Sequence, residues 1–559
     1  MNGSEAVAQV AAPRPGRDYQ ALEFEYRRPR DHDATTPVHH EVIVVGAGPV
    51  GLSLAIDLAQ RGVAVLVLDD DHRLSSGSRA ICFAKRTLEV FDRLGCGDRI
   101  TSKGVSWSVG KVFFKDALLY DFDMLPEPGH GRPAFVNLQQ YYVEGFLAER
   151  AQELPNLEIR WKHKVVTVDP GAEQVTLGIE TPDGRYALRA GHVVACDGSR
   201  SAVRALLGLE SKGRVFQDRF LIADIRTPAD LLPGGASERW FWFDPPFHPN
   251  QSVLLHRQPD NVWRVDFQLG WDADPVEERK PANIVPRVRA LLAASPAKDV
   301  DFTLEWASVY TFACMRMDRF RHGRVLFAGD AAHGVSPFGA RGANSGVQDA
   351  ENLAWKLALV TRREAPESLL DTYADEREFA ADENIRCSTR ATDFITPKSD
   401  ISRLFRDAVL GLARDFPFAR RLVNSGRLSV AATLHDSALN TLDVDAFEGP
   451  MVPGAVAADA PLTSKDRHAW LLHALGKEFT LLVFGDAPSW SATVPVEVVC
   501  IGPSGWRDAE GLAGQRYDAR PGTAYLLRPD QHVCARWRSP READVRVALA
   551  RACGRTEAA

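Results

Sequence analysis

The stretch Glu41–Asp71, EVIVVGAGPVGLSLAIDLAQRGVAVLVLDDD, decides the fold. The run from Glu41 to Val45, mostly β-branched and apolar, reads as a strand. Gly46, Gly48 and Gly51 follow at G-x-G-x-x-G spacing, and Pro49 to Gln60 has helical periodicity. A second apolar strand, Val63 to Leu68, ends at Asp69. In this strand–helix–strand context the glycines let a helix amino terminus approach a pyrophosphate, and the acid accepts a ribose hydroxyl. The expectation is a bound dinucleotide; the alternative is a tight turn without a ligand. FAD and NAD are both open at this point.

Two later segments have the same form. HVVACDGSRSAVRALLG, from His192, is a strand running into Asp197-Gly198, with Ser201 and Arg204 opening a helix. RVLFAGD ends at Asp330 and leads into AAHGVSPFGARGANSG, then a helix with apolar Val347, Ala350, Leu353, Leu357 and Val360 on one face. Glycine at such density recurs where a backbone must approach a ligand closely. Three strand ends thus each present a small-residue turn and a carboxylate, at the edge where open α/β sheets bind ligands. A single NAD site has no need of all three. Arg79 precedes an amphipathic helix with Leu88, Phe91 and Leu94 on one face; it is either a ligand contact or a surface arginine capping its loop. Gln140 stands at the entry of another helix, with Glu144 one turn on.

Composition sets the bounds. A chain of 559 residues implies two to four domains. A net charge of -7 argues against nucleic acid as a partner. No apolar run is long enough to span a bilayer, and the start has no apolar core of a secretory signal. None of the eight cysteines stands at C-x-x-C spacing and no His cluster accompanies them, so no metal site is expected and a reduced, cytoplasmic setting is.

Residues 206–324 are strand-rich and aromatic. In VWRVDFQL, Arg264, Asp266 and Gln268 alternate with Trp263, Val265 and Phe267, the pattern of a half-buried sheet. WFWFDP, from Trp240, approaches a W-x-W-x-I-P motif with Asp244 in place of Ile, the signature of flavin-dependent halogenases. The tail carries FTLLVFG, VPVEVVCIG and TAYLLRPDQHVCARW, strand patterns with shorter helices between them, after a Pro- and Gly-bearing boundary at 449–461.

Together these motifs resemble the single-component flavin-dependent aromatic hydroxylases, the p-hydroxybenzoate and phenol hydroxylase family, closest to its 3-(3-hydroxyphenyl)propionate hydroxylase branch. The resemblance covers about residues 40 to 545. It implies an α/β fold: a discontinuous Rossmann-like FAD-binding domain (39–205 and 325–400), an inserted β-sheet substrate domain (206–324, with parts of 105–135), a helical linker region (401–450) and a thioredoxin-like domain without C-x-x-C (451–559). Residues 1–38 would be an arm or edge-covering extension. By the resemblance Gly46, Gly48, Gly51 and Asp69 hold the ADP half of FAD, while Arg79 and Gln140 reach the flavin side. Asp197 serves FAD and nicotinamide binding, and Asp330 the ribityl chain. Pro337 lies by the isoalloxazine, and Gly342, Ala343 and Asn344 cradle its pyrimidine edge. The chain departs from the family's Gly-Gly-Gln-Gly with Gly339-Ala340-Arg341-Gly342; Arg341 either adds positive charge near the reduced flavin or points to solvent. Arg257 and Arg264 stand broadly where family arginines approach substrate or flavin, and a solvated sheet face is the alternative for each.

The implied activity is hydroxylation of a phenolic ring through a flavin C4a-hydroperoxide, with NADH or NADPH as transient reductant and O2 as co-substrate. His256 and Tyr310 are candidates for deprotonating the phenol. A structural or dimer-supporting role is expected of the tail. The rival readings are an oxidase, epoxidase or halogenase acting on a non-phenolic substrate, and a flavoprotein that binds a ligand without hydroxylating it.

Overall fold

The computed structural model describes residues 22–75, 79–233, 237–295, 297–423, 428–464 and 467–555. Residues 1–21 of the expected extension and 76–78 of the loop before Arg79 lie outside them. The glycine-rich stretch forms strand Val38–Val45, helix Pro49–Gln60 and strand Val65–Asp69. Proline at the first helical turn suits the helix start, because its missing N–H has no acceptor there anyway.

Val38–Val45 is central in an eight-stranded mixed sheet, pairing in parallel with Gly184–Ala195 on one side and Val65–Asp69 on the other. Val325–Phe327 adds in parallel beyond Gly184–Ala195, and Leu157–Trp161 beyond Val65–Asp69. The strand ends at Asp69, Asp197 and Asp330 therefore open on one sheet edge. Helices Pro49–Gln60 and Gly342–Thr361 pack on each other over this sheet and bury Leu52, Leu54, Ile56, Val347, Leu353 and Leu357. Of the amino-terminal segment, residues 22–38 are described; Phe24 stacks on Trp161 with ring centroids 4.2 Å apart, so this part covers the sheet edge.

A second eight-stranded sheet runs Gly334–Thr303–Ser211–Val262–Ser252–Glu238–Val109–Ala117 when each strand is named by one residue at its limit. Its two longest members, Ser211–Arg226 and Thr303–Met317, pair antiparallel, and Val109–Phe114 brings a strand from earlier in the chain against Glu238–Phe243. Strand alternation gives the sheet two unlike faces. One face buries Trp242, Val253, Leu255, Trp263, Val265 and Phe267 against helix Pro281–Ala293. Trp240 and Trp242 of the halogenase-like motif belong to this apolar face. The other face carries Arg239, His256, Arg264, Asp266 and Asp224 among aromatic rings.

The carboxy-terminal sheet has the order Glu497–Ile501, Thr480–Phe484, Ala524–Leu527, Val533–Trp537, the first pair parallel and the others antiparallel. One of its faces, with Phe479, Leu481, Leu526 and Ala535, joins the same apolar core as the dinucleotide sheet. Polar contacts reinforce the join. Arg528 is fully buried and pairs with Glu376 and Asp530, while Trp355 and Asn352 on helix Gly342–Thr361 also donate to Asp530. No helix among the described residues is long and apolar enough to cross a membrane.

Candidate active site

The amino terminus of helix Pro49–Gln60 is built by three glycines with three different tasks. Gly46 has φ +105°, and a Cβ there would stand 2.5 Å from the carbonyl oxygen of Cys196. A Cβ on Gly51 would stand 1.9 Å from the carbonyl oxygen of Gly46. Gly48 has ordinary backbone angles, and a Cβ there would meet nothing within 4 Å. Gly46 and Gly51 let strand, turn and helix touch; Gly48 faces open space, where a phosphate would lie. Asp69 ends its strand beside this turn and accepts the Ala47 N–H at 2.6 Å and the Asp71 N–H at 2.9 Å. Burial raises its carboxyl above the ordinary range.

Asp197 accepts the Val203 N–H at 3.0 Å through Oδ2, while its Oδ1 is buried without a partner. Burial raises its carboxyl too. Asp330 has no side-chain hydrogen bond among the described residues, and its Oδ1 would lie 3.9 Å from a Cβ on Gly342. Its carboxylate is accessible yet enclosed enough for burial to raise it, with His333 and Arg79 acting the other way. Arg79 is near enough for its charge to be felt at Asp330. Its loop is held by Gln140, which accepts from Ala80 N–H at 3.0 Å and donates to Glu144 at 2.7 Å; Glu144 in turn accepts the Ser75 N–H.

Helix Gly342–Thr361 has no side-chain cap, and the N–H groups of Gly342, Ala343 and Asn344 find no acceptor among the described residues. Such an end favours negative charge. The Asn344 side chain is a latch: it accepts from Ala84 N–H at 2.8 Å and donates to the carbonyls of Cys82 and Ala340. Pro337 is exposed and its carbonyl closes a turn on Ala340, which holds φ +53°. Arg341 does not point to solvent. Its guanidinium is buried and donates to Asn384 at 2.7 Å, in a network continuing through Ser345 and Arg377 to Asp349 and His333.

The polar face of the inserted sheet lies across from Cys82, Trp107 and Asn137. Arg264 is buried, forks onto Asp224 at 2.7 and 2.8 Å, and donates to the Arg79 carbonyl at 3.3 Å. It is not part of a solvated face; it braces the loop that carries Arg79. Arg257 instead turns toward Asp230 at 3.3 Å, half-exposed over the Trp263 ring. His256 is buried, meets Asp266 through Nε2 at 3.0 Å, and lies with Nδ1 3.9 Å from Cys82 Sγ. Burial, with Arg239 assisting, pushes His256 down to about 4, so the ring is neutral. Tyr310 lies close enough to Asp330 and Arg79 to feel both charges, and burial raises its phenol.

Two features escaped the reading of the chain: Arg239 in this cluster, and the His333–Asp349–Arg377 network, in which His333 is 2.7 Å from Asp349. The signal for Arg239 was present, since alternation through ERWFWF separates Arg239 and Phe241 from Trp240 and Trp242. The network joins residues with no shared motif and had no such signal.

The site suits FAD on the structure's own terms: open space at Gly48, an unpartnered carboxylate at Asp330, a buried orphan oxygen on Asp197 and three free N–H groups at Gly342–Asn344. Known proteins agree. A family model described as FAD binding domain matches residues 39–388. A flavin-dependent monooxygenase of Mycobacteroides abscessus is 30% identical over 516 residues, 88% of this chain and 96% of its own length. A 3-(3-hydroxy-phenyl)propionate/3-hydroxycinnamic acid hydroxylase of Mycolicibacterium smegmatis is 26% identical over 530 residues, 88% of this chain and 90% of its own. Among solved structures, an anhydrotetracycline hydroxylase from Streptomyces rimosus superposes with a TM-score of 0.67 at 28% identity, over 92% of this chain and 99% of its own. The fold and site define a flavoprotein, and the chain belongs to the FAD binding domain family. It is an FAD-dependent monooxygenase.

Proposed function

We propose that this monooxygenase hydroxylates a phenolic aromatic ring, with O2 as co-substrate and NADH or NADPH as reductant. The observation that supports this most is the inserted sheet's polar face. It sets His256, Asp266 and the Phe241 ring across from Trp107 and Cys82, and Asn344 ties the Cys82 carbonyl to the helix end expected at the flavin. Aromatic walls and a few polar groups are what a phenol requires of a site. The names of the relatives, a hydroxyphenylpropionate hydroxylase and an anhydrotetracycline hydroxylase, support the same class of substrate.

Bound FAD supplies the electron transfer and the activation of oxygen. The chain's own residues do the rest. Gly46, Gly48, Gly51 and Asp69 hold the ADP half. Asp330 would hold the ribityl chain, Arg79 would reach the flavin side, and Asp197 would serve FAD and nicotinamide binding. The free N–H groups of Gly342, Ala343 and Asn344 stabilise negative charge at the pyrimidine edge. His256, held by Asp266 at Nε2 and kept neutral by burial, offers Nδ1 as a hydrogen-bond acceptor to the phenol rather than taking its proton; the tautomer follows from the Asp266 hydrogen bond. Pro337 and the inserted sheet exclude water.

The domain division expected from the sequence is proposed unchanged. The strand order and directions of the carboxy-terminal sheet support a thioredoxin-like reading, with a structural or dimer-supporting role. The direct test is turnover of the yellow holoenzyme under labelled O2 with a panel of phenols. A product carrying one labelled oxygen on the ring supports the proposal. Hydrogen peroxide alone with every phenol, or label only in a non-phenolic substrate, overturns it.

A further inference from the structure

Strand Glu238–Phe243 pairs antiparallel with Ser252–Arg257, which sets Arg239 opposite His256; His256 in turn is opposite Arg264 on the next strand. The two arginines of this row are treated very differently. Arg264 forks onto the Asp224 carboxylate. Arg239 is 4% exposed, its Nε has no hydrogen-bond partner, and its Nη1 reaches only the Cys82 sulfur at 3.9 Å. The ring faces of Phe241 and Trp107 stand 4.9 and 5.8 Å from its guanidinium carbon. Among the described residues no carboxylate is within ion-pair distance of it. Asp266 is near enough to be felt, but its Oδ2 is engaged by His256 and its Oδ1 is itself buried without a partner.

A guanidinium withdrawn from water without a counter-ion is costly, and aromatic faces offset only part of that cost. Its planar fork of donors matches a planar oxyanion. Beside it, the free Asp266 oxygen asks for a hydroxyl donor. A neutral hydrocarbon would leave both groups unsatisfied. We propose that Arg239 anchors an anionic oxygen of the substrate, a carboxylate or a phenolate, and so selects hydroxylated aromatic anions over their uncharged counterparts. This rests on the aromatic-substrate reading above and narrows it.

The test is binding, read from the perturbation of the bound flavin spectrum without turnover. The carboxylate arm compares 3-hydroxybenzoate with 3-hydroxybenzamide. The phenolate arm compares 4-nitrophenol, above its own pKa, with nitrobenzene. In the wild-type holoenzyme the charged member of at least one pair should bind about 10- to 100-fold more tightly, the worth of a charge-assisted pair. Arg239→Met should erase that preference while leaving FAD content and affinity for the neutral member unchanged, and Arg239→Lys should restore part of it. The pair that shows the preference identifies the oxyanion.

Equal binding within both pairs, no binding of either anion, or a preference that survives Arg239→Met overturns the proposal. The wild-type comparison stands even where the methionine variant fails to load FAD. Hydroxylation is read separately from labelled product, so failure of the hydroxylase reading with an intact charge preference is distinguishable from failure of the subsite.

Discussion

The sharpest physical prediction contrasts two glycines two residues apart. At Gly46 the backbone holds φ +105°, and a methyl group would press on the Cys196 carbonyl at 2.5 Å and the Asp197 Cα at 3.0 Å. Neither neighbour can retreat: Cys196 N–H donates to the Val45 carbonyl at 2.7 Å, and the two strands are paired along their length. Gly46→Ala therefore costs strain for the left-handed backbone and for overpacking, together about 2–5 kcal/mol. At Gly48, φ is -75° and ψ -178°, which alanine adopts freely, and nothing stands within 4 Å of the new methyl. Gly48→Ala should change apoprotein stability by no more than about 1 kcal/mol. The methyl would instead occupy the approach to the pyrophosphate and weaken FAD binding about 10- to 100-fold. Urea unfolding of the apoproteins, where bound FAD cannot contribute stability, separates the first effect from the second. FAD titration by fluorescence quenching measures the second. An apo Gly46→Ala protein as stable as wild type, or a Gly48→Ala protein with undiminished FAD affinity, would refute the reasoning.

Other perturbations test other parts. Asp330→Ala should lower FAD affinity about 10- to 100-fold, the worth of hydrogen bonds to a charged group, with little loss of apoprotein stability, since none of the described residues hydrogen-bonds its side chain; FAD titration beside apoprotein unfolding checks both. Arg528→Met removes the guanidinium shared by Glu376 and Asp530 in the join between the carboxy-terminal sheet and helix Gly342–Thr361, leaving Glu376 to Lys356 and Asp530 to neutral donors, and should cost about 3–5 kcal/mol in unfolding. His256 is buried neutral with its ring pushed down to about 4, so the unfolded chain binds the extra proton first as pH falls. Its contribution is whole above about pH 6.5 and lost progressively toward pH 4, so His256→Gln should flatten the acid limb of the stability profile.

How far the sequence was legible depended on how local each signal is. The glycine spacing, Asp69, Asp197 and Asp330 were readable because each motif sits within one strand–turn–helix unit, where backbone sterics act over a few residues. The helix Pro49–Gln60 has the bounds that its periodicity implied. The polar face of the inserted sheet was only half legible. Alternation in VWRVDFQL reveals two faces but not which is covered, and Arg264 proved buried because Asp224, forty residues away, supplies its counter-charge. Arg257 turned toward Asp230, which no periodicity could tell. Arg341 found Asn384 and not the solvent, a partner set by helix packing. The tail's strands were visible, but their sharing of a core with the dinucleotide sheet depends on long-range packing that composition does not encode.

The central claim is that this monooxygenase acts on phenolic rings. It is tested most directly by anaerobic stopped-flow reduction of the bound flavin by NADH and by NADPH, with and without a panel of substituted phenols. The account predicts that at least one phenol accelerates bleaching many-fold and that readmitted oxygen then yields a ring-hydroxylated product. Reduction indifferent to every phenol, or acceleration that ends only in hydrogen peroxide, would contradict it.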